Sequence, residues 1–384
     1  MREGLEIVIF GLSVTSSWGN GHATTYRALM RGLFERGHRV TFLERNLPWY
    51  AQNRDLPKLT YGTVHTYSAV NAMLRRFRRQ IINADVVIVG SYVPEGELIG
   101  KWVTRYAKGI TAFYDIDTPV TLAGLERGSC DYISAELVAK YDLYLSFTGG
   151  ATLRKIERRF GSRMARPLYC SADPDVHSPE NRPAKWDLGY IGTYSEDRQP
   201  WLEQLMLEPA REWREGRMIV AGAQYPREIA WPENIKRVEH LAPKRHRRFY
   251  NSQRFTLNLT RDEMKRAGYS PSVRLFEAAA CGTAIISDWW PGLETFFRPG
   301  RDILISRSGR ETLEYLQDIP EKECLAIGQN ARNRILKQHT ALHRAMELET
   351  YIAEVQGRRL ENRERAENAA LREAAASVAE QVGD

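Results

Sequence analysis

Short apolar runs alternate along this chain with longer segments whose apolar residues recur at helical spacing. In the first half the runs lie at residues 6–11, 39–44, 85–91, 110–117 and 142–150, and each reads as a buried strand. Between the first two, Tyr26, Leu29, Met30 and Leu33 share one face of a helix that Gly37 ends. The alternation stops at residues 171–185, which are rich in proline, aspartate and asparagine, and restarts with runs at 186–192, 217–222, 237–242, 255–260, 283–288 and 302–306. Strand–helix alternation predicts an α/β chain with two Rossmann-like halves, each a doubly wound parallel sheet. The expected division is a first domain over 1–172, a linker over 173–185 and a second domain over 186–340. A C-terminal helix follows over 341–384, packed at first and then, where alanine, glutamate and arginine replace large apolar residues, a mobile tail.

A length of 384 residues fits two domains, and 43% hydrophobic with 27% charged residues is enough to build full cores. The net charge of +7 suits an anionic ligand, but its basic clusters at 75–80 and 243–250 read as solvated faces, and nucleic acid is not expected as a partner. Cys130, Cys170, Cys281 and Cys324 show neither paired nor metal-type spacing, which fits a reduced, cytoplasmic setting. The first residues lack the basic start and longer apolar core of a signal peptide, and no apolar run is long enough to span a bilayer. Oligomeric state is not legible.

The most informative stretch is SPSVRLFEAAACGTAIISD, residues 270–288. Ser270 before Pro271 predicts a helix start, with the helix running to Gly282. Val273, Phe276 and Ala280 fall on one face, and Ser270, Arg274, Glu277 and Cys281 on another. A helix entering after a strand of an open parallel sheet points its N-terminus at the ligand crevice, where free N–H groups suit a phosphate. Glu277 lies two turns on, about 10 Å from Ser270, a separation that suits a carboxylate gripping a ribose. The competing reading is an exposed glutamate paired with Arg274 or Arg301.

This stretch resembles the donor-site segment of the GT-B glycosyltransferases, and with GYSPSVRLFEAAACG it is most similar to the CgeB-like, spore-maturation-type enzymes. The resemblance implies two Rossmann-like domains facing across a cleft, with acceptor binding in the first and nucleotide-sugar binding in the second. It further implies transfer of a sugar from a nucleoside diphosphate sugar, UDP- or dTDP-linked, to an acceptor hydroxyl, with no cofactor and no divalent metal. Glu277 would bind the ribose, and Ser270, Ser272 and Arg274 would lie near the diphosphate. Many retaining members carry a second glutamate eight positions earlier; here that position is Tyr269, so the stereochemical outcome is not implied.

By the same resemblance the loop after the first strand of the second half contacts phosphates, which selects Gly192, Thr193, Tyr194 and Arg198, the last able to make a bidentate contact. Arg261 follows a strand toward the same crevice. The loop 13–27 carries Gly19, Asn20 and Gly21, whose glycines would permit close approach of a ligand. It ends at His22, where several GT-B enzymes place a base or sugar contact, and imidazole suits that role. Asp115, Asp117 and Thr118 end a strand at the expected cleft rim, with Asp117 as acceptor base, acceptor contact or structural cap. Asp288 and Trp289 follow another strand, where an aromatic face would stack on a base or sugar. Three readings compete with the transferase: a GT-B-fold nucleotide-sugar epimerase, a non-catalytic nucleotide- or glycan-binding protein, and a nicotinamide oxidoreductase, the last disfavoured by the missing GxGxxG fingerprint.

Overall fold

The computed structural model describes residues 4–18, 21–56 and 58–382. Its first sheet has seven parallel strands: β1 (Glu6–Gly11), β2 (Arg39–Arg45), β3 (Thr63–Tyr67), β4 (Val86–Gly90), β5 (Ile110–Asp115), β6 (Leu143–Ser146) and β7 (Ala165–Pro167). Their order is β3-β2-β1-β4-β5-β6-β7. The second has six: β8 (Trp186–Ile191), β9 (Met218–Ala221), β10 (Ile235–Val238), β11 (Gln253–Asn258), β12 (Ala284–Ser287) and β13 (Leu304–Ile305), ordered β10-β9-β8-β11-β12-β13. Each order reverses beside its own first strand, between β1 and β4 and between β8 and β11, and open α/β sheets bind ligands at such switch points.

Fully buried strands explain why the apolar runs were continuous rather than alternating. The two strands without such a run, β3 (TVHTY) at one sheet edge and β7 (ARP) at the other, are half-exposed or very short and gave no signal. β10 begins two residues before the predicted run, because Ile235 rather than Leu241 pairs into the sheet.

The first helix, His22–Glu35, buries Tyr26, Leu29, Met30 and Leu33 as expected, and Gly37 follows with φ +84. The last helix, Ala341–Val382, returns to the first domain. Its residues Ala345, Leu348, Ile352 and Val355 share a core with Ile7 and Ile9 of β1, Ile88 of β4 and Leu145 of β6.

The two halves also meet directly. The amide of Gly149 donates to the Tyr269 carbonyl (3.0 Å), and Thr148 and Ser270 are joined through their hydroxyls. Tyr269 takes a left-handed φ of +48, and its ring covers Gly150, where a side chain of any size would collide with it, while a Cβ on Gly149 would meet the Tyr169 hydroxyl. Among the described residues no helix is long and apolar enough to cross a membrane.

Candidate functional site

The loops at the carboxyl ends of both sheets converge on a cavity of about 740 Å³. Ser17, Trp18, Gly21 and Thr24 line it from the first domain. Opposite lie Gly192 and Thr193 after β8, Gly222 to Gln224 after β9, Glu239 to Leu241 after β10, and Arg274 and Glu277. Gly222 lets the β8 and β9 loops touch, since a Cβ there would fall 1.8 Å from the Gly192 carbonyl oxygen. Gly222→Ala should therefore destabilise the fold by about 1–3 kcal/mol, read as a lower urea midpoint at unchanged slope.

Glu277 is buried on the helix Val273–Ala280. Tyr250 Oη donates to its Oε2 at 2.9 Å, His246 Nδ1 stands 3.4 Å from Oε2, and His177 Nε2 stands 3.8 Å from Oε1. Burial alone would raise its pKa, but the two imidazoles and the tyrosine outweigh burial and hold it down at about 2. The carboxylate is thus ionised at any physiological pH, and pairing with Arg274 or Arg301 is excluded as its explanation. Arg274 is instead anchored by the Ile191 carbonyl (2.7 Å) and Asn258 Oδ1 (2.9 Å), its guanidinium lying over the Tyr190 ring. Its Nη2 would touch any Cβ on Gly192, so the bare glycine leaves the cation beside the β8 loop.

Several expected residues stand elsewhere. The helix starts at Val273 with Ser272 as its N-cap residue, not at Pro271; Ser272 Oγ donates to Asn258 Oδ1 rather than capping an N–H. Ser270 is fully buried and tied to Thr148, so it faces the domain contact and not the cavity. Asp288 is buried, accepting from Thr260 and pairing with Lys265 Nζ at 2.8 Å. Trp289 is exposed while Trp290 is buried, and neither lines the cavity among the described residues. Tyr194 packs edge-on against Tyr225, Arg198 Nη2 donates to the Thr193 carbonyl at 2.7 Å, and neither side chain is among the residues that line the cavity. Arg261 is half-exposed, 3.8 Å from Asp197.

In the first domain, Asp115 and Thr118 are buried, not at the rim. Asp115 accepts from Tyr144 Oη (2.6 Å) and Thr121 Oγ1 (2.7 Å), and Thr118 Oγ1 donates to the Asp115 carbonyl. Burial outweighs these donors and lifts Asp115 to about 6. A carboxyl whose folded pKa is raised favours the folded state as pH falls through that value. Wild type should therefore gain on the order of 1 kcal/mol relative to Asp115→Asn between pH 7 and pH 5, measured by urea unfolding.

Asp117 alone keeps partial exposure, accepting from Tyr92 Oη at 3.0 Å. Burial raises its pKa, with the Arg261 guanidinium across the cleft opposing. Tyr92 holds a left-handed φ of +60, and its ring meets His22 edge-to-face at 5.4 Å between centroids. His22, between the cavity-lining Gly21 and Thr24, is lowered to about 4 by burial and is neutral at pH 7. Gly21 has an ordinary φ of −69 with open space around it, so its lack of a side chain answers no steric need; Gly19 and Asn20 lie outside the described residues.

Sequence reasoning passed over Glu44, Tyr92, His177, His246, Tyr250 and Asn258. Glu44 is buried and accepts from Ser13 Oγ, the Val14 and Thr15 amides and Thr15 Oγ1, which fixes the start of the loop that reaches the cavity. A carboxylate closing the apolar run of β2 was its only visible signal.

Residues 198–350 match a family model described as glycosyl transferase-like. The whole chain is similar to the Anabaena Alr3699/HepE crystal structure in complex with UDP and glucose, with TM-score 0.66, 9% identity, and 91% of this chain and 100% of that chain covered. The chain has the GT-B fold. The same architecture is shared with sucrose-phosphate synthase from Thermosynechococcus elongatus (TM-score 0.64, 12% identity, 91% and 99% covered). It is shared too with an α-glucosyltransferase in complex with UDP and a 13-mer DNA (TM-score 0.65, 12% identity, 91% and 99% covered). No curated protein sequence matches the chain. In this GT-B chain the stretch matched by the family model contains Arg261, Arg274 and Glu277, whereas His22 and Asp117 lie outside it.

Proposed function

We propose that the protein is a glycosyltransferase that moves a sugar from a nucleoside diphosphate sugar, UDP- or dTDP-linked, to an acceptor hydroxyl in the interdomain cleft. The observation that carries this reading is the ionised Glu277 facing the cavity on the same helix as Arg274, with the Gly192 loop beside the arginine. Glu277 accepts from the ribose hydroxyls, Arg274 and the Thr193 amide face the diphosphate, and the Glu239–Leu241 loop faces the base. The acceptor oxygen forms its bond to the anomeric carbon as the bond to diphosphate breaks; the nucleoside diphosphate leaves with the electron pair, and cationic and N–H groups stabilise it. The acceptor proton passes to His22 or Asp117. Transfer by this route needs no divalent metal.

The fold is common to the UDP complexes named above, the GYSPSVRLFEAAACG segment supports kinship with the CgeB-like enzymes, and the four free cysteines support a reduced, cytoplasmic setting. The test is calorimetric binding of UDP, dTDP, GDP, ADP and NAD, followed by sugar release from the matching nucleotide sugar with and without acceptor glycans. One nucleoside diphosphate binding, with acceptor-dependent turnover, is the expected result. Binding of NAD alone overturns the reading, and turnover without acceptor moves it to an epimerase.

A further inference from the structure

Three potential ligands from separate parts of the fold meet at one point. His177 comes from the segment between β7 and β8, His246 from the helix His246–Tyr250, and Glu277 from the helix Val273–Ala280. One ligand atom of each lies within 4.8 Å of the others. The two imidazole-to-carboxylate separations, 3.4 and 3.8 Å, exceed ordinary hydrogen-bond lengths. They approach the roughly 3.3–3.6 Å edge between two ligands held 2.0–2.2 Å from one tetrahedral zinc ion.

Two further features favour an ion. His177 is 4% exposed, and neither of its ring nitrogens has a hydrogen-bond partner among the described residues. Such an orphaned buried imidazole is costly unless something binds it. His246 Nε2 faces the Leu241 carbonyl at 3.3 Å; a carbonyl only accepts, so Nε2 carries the proton and Nδ1 is left facing Glu277. A ligating histidine whose other nitrogen donates to a backbone carbonyl is the usual outer arrangement of a metal site, and Tyr250 orients the carboxylate in the same way. An imidazolium at His246 would account for that histidine and Glu277, but it leaves His177 unexplained.

We propose that His177, His246 and Glu277 bind zinc or a similar borderline divalent ion, with the fourth position toward the cavity, and that ion and nucleotide exclude each other. Two imidazoles and one carboxylate match the donor set of open zinc sites. The ion enters past His246, which lines the cavity with Glu277. Exclusion follows because both ligands require the Glu277 carboxylate, and this clause alone rests on the donor-site reading. The ion takes no part in the transfer step, which it would inhibit by occupying Glu277.

The test titrates chelator-stripped full-length protein with Zn²⁺ by calorimetry and with Co²⁺ by visible absorption, for wild type, His177→Ala and the more accessible His246→Ala. Expected are one ion per chain, tetrahedral Co²⁺ bands, a loss of at least about 100-fold in affinity in each variant, and a weaker apparent zinc affinity in the presence of UDP. Absence of binding to wild type, or unchanged affinity in a folded variant, overturns the metal site. Zinc that strengthens UDP binding overturns the exclusion. Zinc loss in both variants with UDP, dTDP, GDP and ADP inert toward every form upholds the metal site and removes the donor reading, whereas nucleotide binding lost in Glu277→Ala without any zinc binding does the reverse.

Discussion

Glu277→Ala is expected to weaken nucleoside diphosphate binding by about 10- to 150-fold, the value of hydrogen bonds to a charged group, about 1.5–3 kcal/mol. Calorimetry with the nucleotide that stabilises wild type measures it directly. Glu277→Gln separates binding from folding, because the amide keeps the shape while losing the charge that the two imidazoles and Tyr250 hold ionised. A carboxylate with a lowered folded pKa stabilises the fold fully above its unfolded value near 4.5 and loses that contribution as pH falls toward about 2. The stability difference between wild type and Glu277→Gln should accordingly be largest between about pH 4.5 and 6.5, shrink below 4.5 as the carboxylate takes a proton, and shrink again above 6.5 as His246, whose pKa that carboxylate raises, gives its proton up. Unchanged nucleotide binding in either variant would remove the residue on which the functional proposal rests.

His22→Ala is expected to cost about 10²–10⁴-fold in kcat while donor affinity stays within a few-fold, the signature of a lost general base rather than a lost binding contact. With burial holding its pKa at about 4, His22 stays unprotonated through the neutral range. The wild-type kcat should therefore be flat from pH 8 to about 5 and fall below about 4, provided the fold persists. Asp117→Asn is the paired experiment. Should Asp117→Asn cause the large loss and His22→Ala a small one, the proton passes to the carboxylate that Tyr92 orients from across the turn.

The fold was legible because parallel strands buried on both faces announce themselves as unbroken apolar runs, and eleven of these runs became strands. β3 and β7 escaped because one buries only its last residue fully and the other is three residues long, too little for an apolar run. The site was legible only as loops. Glu277 was found through its motif, yet helical periodicity put it off the apolar face; in fact every residue from Arg274 to Ala280 is buried, because the linker histidine and Tyr250 cover the second face. Nothing in a one-dimensional pattern shows that residues 177 and 246 reach residue 277. Likewise Asp115 and Asp117 alternate in sequence as a rim pair would, but the turn after β5 sends one carboxylate into the core and leaves the other at the cleft. The missed residues are those whose role depends on which chain segment folds over them.

The helix that begins at Ala341 completes the core of the domain made by the first 170 residues. On the ribosome, β7 emerges roughly 190 residues before Val355, about 10–40 s at ordinary synthesis rates. Throughout that interval the first-domain core lacks Ala345, Leu348, Ile352 and Val355, and the helix His22–Glu35 lacks the neighbour packed along it. The second domain, whose strands are contiguous in the chain, can close first. Nascent chains arrested before residue 341 should therefore carry a protease-resistant second half joined to a susceptible first half, a reversal of the N-terminal-first order usual for two-domain proteins.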